Sequence, residues 1–100
     1  MAYRLKFSGR AVREIGEAFA WYEEQSAGLG SEFQLAFELQ LKRLEQVPLL
    51  YQEIIPGVRR TLLPRFPFSV FYTVKHDRVQ ILAVIHTARN PRRRPKDRSP

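Results

Sequence analysis

Histidine and arginine are the side chains through which this sequence could do chemistry. His86 closes an apolar run and stands three residues before Arg89, so an imidazole lies next to a basic stretch. Such a group can move a proton near neutral pH, or it can bond a backbone group at the end of a strand. Both roles are open from the residues alone. His76, in the polar break Lys75-His76-Asp77-Arg78, reads as a hairpin residue. Arg59 and Arg60 are adjacent, Arg65 lies in a proline-flanked loop, and Arg89, Arg92 and Arg93 begin a basic C-terminal run. Guanidinium groups hold phosphate or carboxylate through paired hydrogen bonds, so these six are candidate target- or phosphate-binding residues. Other chemistries lack their residues. There is no phosphate-cradling glycine loop, no paired-histidine zinc helix and no serine elbow. With no cysteine, disulfides, thiolate metal sites and a thiol nucleophile are excluded. No metal and no cofactor are expected.

The elements that must position these residues can be read from hydrophobic period. Phe68, Val70, Tyr72 and Val74 alternate with Ser69, Phe71, Thr73 and Lys75, the pattern of a pleated strand. Val79, Ile81, Ala83 and Ile85 then fall on one side of a second strand, with Gln80, Leu82, Val84 and His86 on the other. Both faces of that strand are largely apolar, which suits a central position. Val58 to Leu63 predicts a third strand, stopped by Pro64, in which Arg59 and Arg60 point to opposite faces. Upstream, Tyr3 to Phe7 predicts a short, half-buried strand with Arg4 and Lys6 in water.

Ser8 is placed to cap a helix whose stripe is Val12, Ile15, Phe19 and Tyr22, flanked by Ala11 and Ala18, with Trp21 a packing residue at its boundary. Ala27-Gly28-Leu29-Gly30 ends it. Ser31 to Gln34 matches a capping box for a second helix with stripe Phe33, Ala36, Phe37, Leu41 and Leu44, widened by Leu35 and Leu39, and stopped at Val47-Pro48. Leu49 to Gly57 reads as irregular, with Pro56-Gly57 turning into the strand at Val58. The order is β-α-α-β-β-β: an N-terminal strand, a helical hairpin and a three-strand antiparallel meander. Neither layer can cover its apolar face alone, so this is a two-layer α+β fold with both helices on one sheet face and the other face partly open.

A chain of 100 residues suffices for one core. Residues 1–88 read as that single domain and 89–100 as a basic, flexible tail. The net charge is +7, and the tail holds six basic residues against Asp97. A cationic end on a nearly neutral body points to a polyanion or an acidic partner. No apolar run approaches the roughly 20 residues that span a bilayer, and the N-terminus lacks a signal-peptide core, so a cytoplasmic protein without membrane partners is expected.

Two stretches carry a resemblance. Leu63-Pro64-Arg65-Phe66-Pro67-Phe68-Ser69-Val70-Phe71-Tyr72 and Val84-Ile85-His86-Thr87-Ala88-Arg89-Asn90-Pro91, with the arginines Arg59-Arg60 after the long loop and the element order, resemble the RelE/ParE superfamily of bacterial toxin–antitoxin toxins. The resemblance covers nearly the whole body. It implies a compact toxin neutralised by a cognate antitoxin in a hetero-oligomer. It also implies one of two targets. RelE-like members cleave messenger RNA on the ribosome, and His86 and Arg89 would then be the catalytic residues. ParE-like members bind DNA gyrase and are not known to be catalysts. Ser69 stands where many of the nucleases carry an arginine, and no tyrosine follows Tyr72 to serve as a late acid or base. The ParE-like reading is therefore favoured, with the ribosome-dependent endoribonuclease as its alternative.

Overall fold

A computed structural model describes residues 2–88 of the chain. The run 89–100, with Arg89, Arg92 and Arg93 and the expected flexibility of the tail, lies outside the described residues.

Local chemistry sets the first helix. Ser8, in extended backbone, accepts a hydrogen bond from the Ala11 amide at 2.9 Å through its hydroxyl, and α1 runs Gly9–Gln25. The second helix, α2 (Leu29–Gln46), starts two residues before the expected capping box. Its cap comes from the neighbouring helix. The Glu23 carboxylate of α1 accepts from the Gly28 and Gly30 amides, both at 2.9 Å, and so satisfies free donors of the first turn of α2. Gly28 turns the chain with φ 90, and Gly30 lets the helices approach: a Cβ there would lie 2.7 Å from the Phe19 carbonyl oxygen.

Five strands form one sheet in the order β1-β5-β4-β3-β2. They are β1 (Arg4–Phe7), β2 (Glu53–Ile55), β3 (Val58–Leu62), β4 (Phe68–Lys75) and β5 (Arg78–His86). The expected meander is present as β3, β4 and β5. The segment read as irregular is a short 3₁₀ turn, Pro48–Leu50, followed by β2, which returns through Gly57 (φ 85) to pair antiparallel with β3. Three residues are too few for an alternation to be visible. At the other side β1 pairs parallel with β5, Arg4 opposite Arg78 and Phe7 opposite Ile81, which puts β5 in the interior of the sheet.

The helices cover one sheet face. Ala11, Ala18 and Tyr22 of α1 and Phe33, Ala36, Phe37 and Leu44 of α2 bury against Phe68, Val70 and Tyr72 of β4 and Val79, Ile81 and Val84 of β5. Phe33 is the hub, with ring centroids 5.6 Å from Tyr22, 5.6 Å from Phe66 and 5.3 Å from Phe68. The stripes differ from expectation at their margins. Val12, Leu35 and Leu39 are exposed. Gln40 is buried instead, its amide bonded to Thr61 and Tyr51. Trp21 is 40% exposed and meets Tyr22 edge to face, as a boundary residue should.

The side chains of β5 do not keep a single alternation. Phe71 pairs with Ala83 and Tyr72 with Ile81, so Leu82 has no opposite residue and forms a bulge. Val79 and Ile81 face the helices, but beyond the bulge it is Val84 that does so, while Ala83 and Ile85 join Val58 and Phe71 in a second small core on the far face. Two contacts from the N-terminal part of the chain hold the bulge. Ser8 donates its hydroxyl to the Leu82 carbonyl at 2.8 Å, and the Glu14 carboxylate accepts from the Val84 amide at 2.8 Å. Arg10 braces Glu14 at 2.9 Å. The far face is therefore apolar in its middle, and polar groups occupy its margins.

Candidate functional site

The register of β3 against β4 decides what the adjacent arginines do. Arg59 pairs with Tyr72, whose side chain is in the helix-side core, and Arg60 pairs with Phe71, which belongs to the far face. Arg59 thus points inward. Its guanidinium donates to the Tyr51 carbonyl at 2.5 Å and the Leu49 carbonyl at 3.4 Å, and ion-pairs with Glu53 at 3.6 Å. It fastens the 3₁₀ turn and β2 onto β3. Beneath it the buried Tyr72 hydroxyl donates to the Pro48 carbonyl at 2.6 Å. Burial raises the Tyr72 pKa from 10.0 to about 12, with the positive charge of Arg59 opposing part of that rise. This phenol keeps its proton at neutral pH and is spoken for by the backbone.

Arg60 points the other way, is exposed, and has no ion pair or side-chain hydrogen bond among the described residues. It lines a cleft of about 710 Å³ between α2, the stretch 50–54 and the outer edge of β3, together with Arg43, Tyr51, Leu50, Ile54 and Leu62. The floor is a polar network. Gln40 donates to the Thr61 hydroxyl at 2.7 Å and to the Tyr51 hydroxyl at 3.1 Å, and Nε of Arg43 donates to the same Tyr51 oxygen at 2.8 Å. An oxygen that accepts twice has its own proton left to give. The cleft therefore offers donors and positive charge: two guanidinium groups and a phenol proton, with aliphatic walls.

The other candidates lie elsewhere. Arg65 has φ 71, a left-handed backbone that is uncommon for a residue with a side chain. Its guanidinium meets Glu32 of α2 at 2.8 Å and lies over the Phe66 ring at 5.3 Å. His86 ends β5 with its ring edge-on to Phe68 at 5.2 Å, and its Nδ1 accepts from the Ala88 amide at 3.1 Å. In the neutral imidazole that leaves the proton on Nε2. The Thr87 amide bonds the Pro67 carbonyl at 2.8 Å, which ties the end of β5 to the loop that carries Arg65. The four described candidates thus do not form one cluster: Arg59 is engaged inside, Arg60 faces the cleft, Arg65 is held to α2, and His86 packs on the helix-side core.

Among the described residues no group of three His, Cys, Asp or Glu side chains could hold a metal ion, and no helix is long and apolar enough to cross a membrane. Sequence reasoning did not single out Arg43, Gln40 or Tyr51. The one signal for them was Gln40 on an otherwise apolar helix face, since a buried amide needs partners and so marks a polar network.

The chain has recognisable relatives. Residues 5–91 match the family model for the ParE toxin of the type II toxin–antitoxin system parDE. Among solved structures, the chromosomal ParDE toxin–antitoxin system from P. aeruginosa is 26% identical, with a TM-score of 0.75 over 85% of this chain and 96% of that one. A mutant of the E. coli toxin RelE in the free state is 19% identical, with a TM-score of 0.62 over 88% and 86%. The intact E. coli RelBE toxin–antitoxin complex is also 19% identical, with a TM-score of 0.60 over 83% and 94%. At that identity the two E. coli structures share the fold. None of the curated proteins matches.

Proposed function

The chain belongs to the family of ParE toxins of type II toxin–antitoxin systems, and from that premise we propose that it inhibits growth by binding DNA gyrase. It carries out no bond cleavage of its own, and a cognate antitoxin neutralises it in a cytoplasmic hetero-oligomer. The observation that carries this reading is that, among the described residues, the candidates Arg59, Arg60, Arg65 and His86 are dispersed. Phosphoryl chemistry at a ribose needs cations and a proton-transfer group aimed at one phosphate. Here the Arg59 donors are taken by the Tyr51 and Leu49 carbonyls, the Tyr72 proton is held by Pro48, and Arg65 is paired with Glu32. The likeness to a ParDE toxin–antitoxin system supports the same choice and supports a protein partner. In this reading Arg60 and Arg65, with Arg89, Arg92 and Arg93, supply cationic contacts to the target, and Arg59 shapes the surface from within.

Two assays on one antitoxin-free preparation test it. In the first, purified gyrase supercoils relaxed plasmid with and without the protein. In the second, primer extension maps messenger RNA from a cell-free translation reaction. Blocked supercoiling with intact message is expected. Cuts at codon boundaries on translating ribosomes, with supercoiling untouched, would overturn the proposal in favour of a RelE-like endoribonuclease and make His86 and Arg89 the residues to mutate.

A further inference from the structure

The far face of the sheet carries a charged surface at the end opposite His86. On β1, Tyr3 and Leu5 pack against the helix-side core, so Arg4 and Lys6 project from the other face. Val74 of β4 pairs with Val79 of β5 and both belong to that same core, so Lys75 and Arg78 beside them also project outward. The registers then align these side chains. Arg4 stands opposite Arg78, and Arg78 opposite Lys75, which sets three cations in one row across three adjacent strands. Lys6 follows two residues along β1, in a row with Gln80 and Thr73.

Neighbouring strands lie about 4.8 Å apart, so the row of three is roughly 10 Å wide. All four cations are exposed, and none has an ion pair or a side-chain hydrogen bond among the described residues. Asp77, in the turn between Lys75 and Arg78, pairs with none of them. It contributes its carbonyl, which accepts from the Arg4 amide at 2.8 Å and so fixes the end of β1 beside the hairpin. Like charges directly opposite one another on adjacent strands repel, so this row destabilises the sheet by itself. An anionic ligand offsets that repulsion.

The surroundings narrow the ligand. The cations and their neighbours Thr73 and Gln80 include no aliphatic and no aromatic side chain. A protein partner takes its affinity from apolar anchors at the centre of its footprint, and the exposed Leu50, Ile54 and Leu62 lie toward β2 and β3 at the other edge of the sheet. Single-stranded nucleic acid is held by aromatic rings that stack on its bases, and none stands here. Flat, closely spaced positive charge fits the regular phosphates of a duplex, which can be held without reading a base. The surface is also separate from the candidates described above: at about 3.3 Å per residue, Arg78 and His86 lie roughly 25 Å apart along β5.

We propose that Arg4, Lys6, Lys75 and Arg78 form a binding surface for the phosphate backbone of a nucleic-acid duplex, without sequence preference. The inference goes beyond the gyrase reading and does not depend on it, since it concerns the chain alone.

The test uses the full chain and fluorescence anisotropy of labelled DNA and RNA duplexes of about 20 base pairs, at salt from about 50 to about 200 mM. The variant Arg4→Gln, Lys6→Gln, Lys75→Gln, Arg78→Gln should flatten the log–log salt slope by about 3 to 4 and weaken binding at low salt at least about tenfold. Whichever duplex binds more tightly identifies the natural source of the phosphates. Substitution of Arg92, Arg93, Arg94 and Lys96 by Gln is the comparison. A slope that the first variant leaves unchanged, or that only the second flattens, would overturn the proposal, as would a wild-type chain that binds neither duplex. Capture by phosphatidylglycerol vesicles through the same four residues, with no duplex bound, would reassign the surface to lipid and overturn it too. Removing repelling charges should not lower the urea midpoint. Should the fourfold variant nevertheless unfold, Lys75→Gln with Arg78→Gln, which leaves β1 intact, should still flatten the slope by about 2. The supercoiling assay is separate, so the gyrase reading and this one can fail independently.

Discussion

The buried phenol of Tyr72 gives the fold an alkaline limit that can be measured. Its hydroxyl donates to the Pro48 carbonyl at 2.6 Å inside the core, and its pKa is pushed from 10.0 to about 12. The folded state thus prefers the protonated phenol more strongly than the unfolded state does. The stability this contributes is fully present below pH 10.0 and is lost as pH rises toward about 12. At about 1.4 kcal/mol per pH unit, the loss over that window approaches roughly 2.7 kcal/mol. Urea unfolding followed by circular dichroism, at several pH values from about 8 to about 11.5, measures it. Wild type should lose stability steeply above pH 10.0, whereas Tyr72→Phe, which has no proton to lose, should show a shallower slope. The variant should start lower at neutral pH by about 1 to 3 kcal/mol, because the Pro48 carbonyl stays buried without a donor. The difference between the two profiles isolates Tyr72 from the lysines and arginines that titrate in both. Parallel profiles would refute the reasoning, since they would mean that the phenol ionises in the fold as easily as in water.

Two other substitutions probe the joints of the fold. Gly30→Ala would place a Cβ 2.7 Å from the Phe19 carbonyl oxygen and 2.8 Å from the Glu23 carboxylate. A backbone atom cannot step aside, so a loss of about 1 to 3 kcal/mol is expected in the same urea assay, and an unchanged midpoint would show that the helices can separate freely. Glu14→Ala removes the acceptor of the Val84 amide at the bulge. It should cost about 1 to 3 kcal/mol and speed amide exchange at Val84 selectively, while a uniform change across the sheet would deny Glu14 its local role.

How far the chain could be read from its residues depended on whether the cause was local. The cap at Ser8, the alternation of β4 and the stop at Pro48 are written within a few positions, and each is found where the pattern put it. The start of α2 was misplaced because its cap is Glu23, a residue of the other helix, while the nearer Ser31 fits a capping box it does not make. The bulge at Leu82 was invisible because a β5 with apolar residues on both faces reads the same before and after a change of phase. Leu35 and Leu39 looked buried only because apolar residues surround much of α2, and the residue that does turn inward there is Gln40, paid in hydrogen bonds by Tyr51 and Thr61. For the site, the opposite directions of Arg59 and Arg60 followed from strand geometry. Which of them faced the cleft required the pairing with β4, and Arg43 and Tyr51 entered only through folding, from a helix end and from a segment that looked irregular.

The parallel pairing of β1 with β5 also sets the order in which the molecule can be completed during synthesis. The ladder that holds β1, from Arg4 opposite Arg78 to Phe7 opposite Ile81, and the bond of Glu14 to the Val84 amide are supplied by β5. At about 5 to 20 residues per second, the beginning of the chain waits on the order of ten seconds for its partner to be made. Contacts this distant in sequence are slow to close and leave the helical hairpin without its floor meanwhile. A nascent chain that has not yet released β5 lacks the strand on which β1 pairs and to which Ser8 and Glu14 bond, so these joints close after the cleft beside β3 can form.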